Sequence, residues 1–350
     1  MIDLRSDTQT APSPQMREAM ATAPVGDEQK REDPTVNALE EAAAAFLGQP
    51  EAVYVPSATM ANEIALVILG ARGSELIVEE TAHIMISELG GAAAHAGLQT
   101  RGLPGNLGRL TPEQVRGAVR ARDSLHTPTA SILALEDTHN SSGGTVWPYE
   151  ELEAVVATGH ELGLAVHLDG ARLANAAVAS GRPAAQIGGL FDTVTLCFSK
   201  GLGAPLGAVI AGSHELMARA RVEKHRFGGA MRQAGIVAAS ALYALEHNVE
   251  RLAEDHDRAR ALAHGWLAAG LAVDLARVHT NFVQIDVGAL GMTASQALER
   301  LQRDAGVLLS PTVRAGVLRA VTHLDISAED VEQAVARVPA ALGAHHAVGA

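Results

Sequence analysis

The chain has 350 residues, 27 of them basic and 40 acidic, for a formal net charge of −13 at pH 7. So acidic a chain repels phosphate backbones and anionic bilayers, so nucleic-acid and membrane partners are not expected. Hydrophobic residues at 47% are ample for a large core in one or two domains, and the single Cys197 excludes an internal disulfide framework or a multi-cysteine metal site.

The first residues, Met-Ile-Asp-Leu-Arg-Ser-Asp, lack a basic segment followed by an apolar one, and no apolar run approaches the roughly 20 residues of a membrane helix. A soluble cytoplasmic protein is expected. Residues 53–55 read as a strand, then a turn through Pro56, then a helix up to Leu69. Ser57 and Thr59 stand at that helix N-terminus, where free N–H groups, hydroxyls and the helix dipole suit a dianionic phosphate. A plain Ser or Thr cap reads the same way. Residues 130–135, 164–168, 193–198 and 207–211 are apolar runs that read as buried strands of a mostly parallel sheet, and 148–162 and 171–180 carry helical spacing. Strand and helix in alternation imply an α/β architecture, with its binding site at the carboxyl ends of the strands.

The last third differs: a helix over 246–269, a strand over 281–287, a helix over 294–304, a strand over 317–321 and a helix over 328–342. This predicts a large domain of residues 1–250 and a smaller α+β domain of 251–350, with a frayed tail from His345.

Only three lysines occur, Lys30, Lys200 and Lys224. Lys30 and Lys224 lie in charged runs that read as solvated. Lys200 instead ends the strand over 193–198 and opens Ser199-Lys200-Gly201-Leu202-Gly203. An amine desolvated there would be activated towards a carbonyl, although a lysine reaching out of a loop fits the position equally. The spacing Gly201-x-Gly203-x-x-x-Gly207 is not a dinucleotide fingerprint. Asp169 ends the preceding strand, in Asp169-Gly170-Ala171-Arg172; alone it reads as a turn or helix cap. Together, Asp169 and Lys200 supply what pyridoxal phosphate requires: an amine for its aldehyde and a carboxylate that keeps its ring nitrogen protonated.

Seven motifs resemble the low-specificity L-threonine aldolases, in order and from residue 2 to about residue 340. They begin Leu4-Arg5-Ser6-Asp7-Thr8, Asp33-Pro34-Thr35 and Glu136-Asp137-Thr138-His139-Asn140. Asp169-Gly170-Ala171-Arg172 and Ser199-Lys200-Gly201 follow, then Gly228-Gly229-Ala230-Met231-Arg232 and Arg319-Ala320-Val321-Thr322-His323. The resemblance implies the aspartate-aminotransferase-like fold (pyridoxal-phosphate fold type I), with a mostly parallel seven-stranded sheet and a smaller C-terminal α+β domain. It also implies a homotetramer, a dimer of dimers with sites at the dimer interface. Carried over by residue, Lys200 would bond the pyridoxal 5'-phosphate aldehyde, Asp169 would pair with the pyridine nitrogen, and Arg172 would contact the phenolic oxygen. His83 would stack on the ring. Ser57, Ala58 and Thr59 would hold the phosphate, with Arg232 of a neighbouring subunit, and Ser6 and Arg319 would bind the substrate carboxylate. His126 matches an active-site histidine near the β-hydroxyl, and the general base is left open between His83, His126 and a water.

The implied reaction is retro-aldol cleavage of L-threonine, L-allo-threonine or another small β-hydroxy amino acid to glycine and an aldehyde. A phenylserine-type aldolase, a β-eliminating lyase and a non-catalytic pyridoxal-phosphate-binding protein are the alternatives. No His-Glu-x-x-His occurs, so no metal site is expected. The chain departs from the resemblance at Lys30-Arg31, where a Tyr-Gly pair is usual, at Ala58 for a glycine, and at His225 for a lysine. The first is expected to affect substrate choice, and Lys224 to compensate for the last.

Overall fold

The computed structural model of the chain describes residues 1–120 and 125–344; the tail expected to fray lies outside them. Seven strands form the central sheet: β2 (Glu51–Val55), β3 (Glu75–Glu79), β4 (Gln99–Leu103), β5 (Ala130–Glu136), β6 (Ala165–Asp169), β7 (Thr193–Cys197) and β8 (Ala208–Gly212), after a short β1 at Ile2–Asp3. Their order is β2-β8-β7-β6-β5-β3-β4. Continuous apolar runs make β3, β7 and β8 buried along their whole length, as a sheet covered by helices on both faces requires. The block from β4 to β7 is parallel, β8 is antiparallel to both β7 and β2, and so β2 runs with the block. The carboxyl ends of β2, β3, β5, β6 and β7 therefore open on one edge.

Reversal of β8 explains the glycine run after Lys200. β7 returns directly into β8 as a hairpin, and Gly203 and Gly207 take φ of 82° and 109° in that connection. A side chain on Gly207 would bring its Cβ to 2.5 Å from Tyr54 Oη. The glycines serve a tight turn beneath Lys200, whose backbone carbonyl accepts from Gly203 N at 2.8 Å and Thr10 Oγ1 at 2.9 Å.

The smaller unit pairs β9 (Phe282–Asp286), β11 (Ser310–Pro311) and β12 (Val317–Val321) in the antiparallel order β11-β12-β9, while β10 (Val307–Leu308) pairs in parallel with β1. Ile2 and Leu4 belong to this second hydrophobic core, so the start of the chain packs with its last third. The helices Leu252–Ala268 and Ala328–Leu342 cover it, and Trp266 Nε1 donates to the Ala334 carbonyl at 3.0 Å. The helix expected from residue 246 begins at Leu252 because a separate helix, Gly235–His247, ends first. No helix among the described residues is long and apolar enough to cross a membrane.

One solvated reading is corrected. Lys224, in the helix His214–Arg226, is buried and ion-paired with Glu28, which is buried too. Glu28 also accepts from Met231 N at 2.9 Å, so the pair ties the turn carrying Lys30 to the segment carrying Arg232. Lys224 is thus committed to Glu28 and does not substitute for a lysine at His225. Removing one partner of a buried pair leaves the other charge uncompensated. Lys224→Ala is expected to lower unfolding free energy by about 3–5 kcal/mol, read as a fall in the urea midpoint.

Candidate active site

A cavity of about 250 Å³ opens at the carboxyl edge of the sheet. Ser6, His83, Asp169, Arg172, Lys200 and Arg319, six residues expected at the site, line it together. Asp169 ends β6, Lys200 follows β7, His83 follows β3, and Arg319 comes across from β12 of the smaller unit. Parallel strands and short connections place His83, Asp169, Arg172 and Lys200 on this edge; Ser6 arrives because β1 is paired into the smaller unit.

Each group is held by identifiable partners. Asp169 Oδ1 accepts from Ala171 N at 3.1 Å, and its Oδ2 accepts from Asn62 Nδ2 at 3.0 Å. Arg172 makes a two-pronged pair with Asp7, Nε to Oδ2 at 2.7 Å and Nη2 to Oδ1 at 2.6 Å. Burial would raise the Asp7 carboxyl, but the charge and hydrogen bonds of Arg172, with Lys200 adding its charge, hold it well below the usual carboxylate range. Arg319 Nη1 donates to Asn140 Oδ1 at 3.0 Å, and its buried Nε has no partner. No carboxylate forms an ion pair with Arg319 among the described residues, and burial and the nearby Arg172 lower its pKa. Such an arginine is prepared for an anion from outside. Both guanidiniums lie over the Phe282 ring, at 4.9 Å for Arg172 and 5.5 Å for Arg319.

His83 Nδ1 is 2.8 Å from Glu88 Oε1, and His83 N donates to Glu136 Oε2 at 2.6 Å. The hydrogen bond to Glu88 raises the His83 pKa, burial opposes it, and the charges of Asp169, Glu88 and Glu136 add to the rise. Donor atoms of His83, Glu88 and Asp169 fall within 4.8 Å of one another, but Asn62 Nδ2 donates to both carboxylates there, so the cluster is closed by an amide.

Ser57 caps the helix Ala58–Leu69, its Oγ accepting from Met60 N at 3.2 Å. Ala58 is the first helical residue and is not among the non-glycine residues with positive φ, which answers the objection to an alanine there. Ser57, Ala58 and Thr59 follow β2 on the same edge, outside the lining of the cavity. Arg232 is exposed and paired with Asp27 at 3.1 Å. His126 is exposed and precedes β5, at the amino end of the strand and so on the opposite edge of the sheet. Neither reaches the cavity of its own chain. Lys30 and Arg31 are exposed as well; Arg31 pairs with Glu51 at 3.4 Å and takes a left-handed φ of 59°, which suits the glycine that usually stands there.

Asp7, Glu136 and Asn140 lie inside the quoted motifs yet were given no role, and Asn62 and Glu88 were not singled out. A polar residue inside the apolar helix 58–69 was the available signal for Asn62; for Glu88 there was none.

Asp137 is fully buried beside the site, and burial, helped by the Glu136 charge, pushes its carboxyl up to about 8. The folded state keeps a proton that the unfolded state releases above its ordinary value of about 4. Stability from this group is therefore full below about pH 4 and is lost as pH rises through about 8, at about 1.4 kcal/mol per pH unit. Asp137→Asn is expected to flatten the fall of melting temperature over that window.

Residues 3–289 match the family model described as beta-eliminating lyase. The low specificity L-threonine aldolase of Escherichia coli K12 is 40% identical over 337 residues, covering 96% of this chain and 98% of that protein. The threonine aldolase of Leishmania major, 19% identical, superimposes with a TM-score of 0.83 over 98% of this chain and 100% of that one. An aromatic aminotransferase from Pyrococcus horikoshii, 18% identical, shares the fold at a TM-score of 0.71 over 98% and 95% of the two chains.

Proposed function

From the premise that the chain belongs to the beta-eliminating lyase family, we propose that it is a pyridoxal-phosphate-dependent L-threonine aldolase, cleaving small β-hydroxy amino acids to glycine and an aldehyde. The observation that carries this reading is the convergence of Lys200, Asp169, Arg172, His83, Ser6 and Arg319 on one cavity. The residues fit the cofactor: a lysine whose ammonium no ion pair or hydrogen bond engages among the described residues, a buried carboxylate, and a helix N-terminus on the same edge. Lys200 would hold its aldehyde carbon, Asp169 its ring nitrogen, Arg172 its phenolic oxygen, His83 its face, and Ser57, Ala58 and Thr59 its phosphate. When bound, it supplies an electron sink for the charge left at the substrate Cα.

The chain's own residues then have to orient the substrate. Arg319 and Ser6 clamp the carboxylate: Ser6 Oγ already accepts from Thr8 N at 3.2 Å and Thr8 Oγ1 at 2.9 Å, which leaves its own hydrogen to donate. Fixing the carboxylate would orient the Cα–Cβ bond for cleavage, and such orientation is where catalysis of a bond cleavage begins. Of the two histidines left open as the general base, His83 is the one this chain supplies to its own cavity. With Nδ1 committed to Glu88, its Nε2 is left to take the hydroxyl proton, directly or through one water. His126 and Arg232, exposed and outside that cavity, would serve a neighbouring copy. The exposed apolar residues Met85, Ile86 and Leu89 beside His83 fit contact between copies, in a dimer of dimers acting in the cytoplasm.

Purified protein supplied with pyridoxal phosphate should release acetaldehyde and glycine in equal amounts from L-threonine or L-allo-threonine, followed by coupled reduction of the aldehyde. 2-Oxobutyrate and ammonia instead would replace cleavage by elimination. A coloured protein that releases neither would be a binder without turnover.

A further inference from the structure

We infer that Asn62 is a positioning residue for the cofactor: its side-chain amide, set between Asp169 and Glu88, keeps Asp169 an acceptor aimed at the ring nitrogen. The inference rests on the pyridoxal-phosphate reading above and adds to it a residue outside the cavity lining.

Asn62 is 1% exposed, and every polar atom of its side chain is used. Nδ2 donates to Asp169 Oδ2 at 3.0 Å and to Glu88 Oε1 at 2.9 Å, and Oδ1 lies 3.1 Å from His167 Nε2. His167 stands on β6 two residues before Asp169, fully buried, with Nδ1 2.8 Å from Thr193 Oγ1. A carbonyl oxygen only accepts, so His167 Nε2 carries the hydrogen and Nδ1 accepts from the Thr193 hydroxyl. Burial depresses the His167 imidazole to about 4, against the pull of Asp169, so at neutral pH the ring has the single hydrogen this arrangement needs. The opposite orientation of the amide would turn its oxygen onto two carboxylate oxygens and leave both without that donor. The orientation of the amide is thereby determined.

This placement matters because Asp169 and Glu88 are like charges in a buried site. The Glu88 carboxyl is raised by burial and by the Asp169 charge, while His83 and Asn62 lower it. On the far side, Glu63 packs into the space left by Gly91, and burial and the neighbouring Glu88 raise it to about 7. A donor that serves both carboxylates at once relieves their repulsion without a proton. Take it away and the two carboxylates face each other with no shared donor, and Asp169 Oδ2 loses the bond that holds it in place. Asn62 also lies on the helix Ala58–Leu69, whose first residues would hold the phosphate. One rigid element would therefore set both ends of the cofactor.

The test uses cofactor binding, so it is independent of whether threonine is cleaved. Apoprotein is titrated with pyridoxal 5'-phosphate, and the visible absorbance of the loaded protein is followed with pH. Asn62→Asp keeps the shape and replaces the shared donor by a third carboxyl. It should raise the Kd for the cofactor by about 10- to 100-fold, as expected for losing a hydrogen bond to a charged group, and should move the pH dependence of the absorbance. Asn62→Ala should raise the Kd by a similar factor. A role in packing alone predicts a different pattern: the isosteric Asp nearly harmless, and Ala lowering the melting temperature of the apoprotein with no change in Kd. Asn62→Asp that binds and titrates as the wild type overturns the inference. Should that variant not fold, an unchanged Kd in Asn62→Ala overturns it equally. A wild-type apoprotein that does not take up the cofactor would overturn the reading beneath as well.

Discussion

Replacing Lys200 with alanine is expected to lower aldehyde release by at least about 10³-fold, the scale of removing a group that works on the reacting atoms. Its surroundings make this lysine specific. The backbone carbonyl is fastened by Gly203 N and Thr10 Oγ1, so the turn is rigid, while the ammonium reaches the cavity with no counter-ion of its own among the described residues. Lys30, exposed on a turn, and Lys224, locked to Glu28, cannot replace it. The variant should therefore also lose covalent fixation of the cofactor by borohydride, because no other lysine among the described residues lines the cavity. Its fold should be kept, since the side chain is only half-buried and holds nothing together. A Lys200→Ala protein retaining more than about a tenth of wild-type activity would remove Lys200 from the chemistry.

What could be read beforehand, and what could not, divides by the range of the interactions concerned. β5, β6 and β7 are continuous apolar runs followed by polar residues, so the strands and the residues at their ends, Asp169 and Lys200, stood out locally. Asn62 and Glu88 did not, because their role exists only where α/β topology brings residue 62 beside residue 169. Charge runs misled for the same reason: Glu28 and Lys224 each sit among like neighbours that suggest solvent, and only a contact spanning 196 positions makes them buried. The glycine run after Lys200 was visible, but its use depended on β8 being antiparallel, which nothing in the run itself discloses. Ser6 and Arg319 came from the resemblance rather than from pattern, since an isolated serine or arginine carries no periodicity. His126 and Arg232 came the same way, and in this chain both are exposed and outside the cavity lining.

Asp7→Ala is expected to do the most damage to stability and activity together. The carboxylate is fully buried, takes both prongs of Arg172, and accepts from Asn281 Nδ2 at 3.2 Å, just before β9 of the smaller unit. Alanine would leave the buried guanidinium of Arg172 with the Asn140 oxygen at 3.4 Å and the face of Phe282 as its remaining partners. An uncompensated buried charge of this kind costs about 3–5 kcal/mol, which a urea titration at neutral pH would show. The pH dependence distinguishes charge loss from simple cavity formation. Because the folded Asp7 carboxyl is held below its ordinary value, its stabilisation is present above about pH 4, the unfolded value, and is lost as pH falls further towards the lowered folded one. The gap between wild type and Asp7→Ala should therefore narrow in acid; a gap of constant size would mean that packing, not charge, was removed. The same substitution frees Arg172 to turn and loosens the segment that presents Ser6, so both the cofactor contact and the carboxylate clamp move. Misplacement by about 1 Å in such a site can cost about 10²-fold, and kcat/KM should fall by at least that much. Asp7→Asn, which keeps the shape and one acceptor, should recover part of the stability but little of the rate, because a neutral oxygen cannot hold the guanidinium as the carboxylate does.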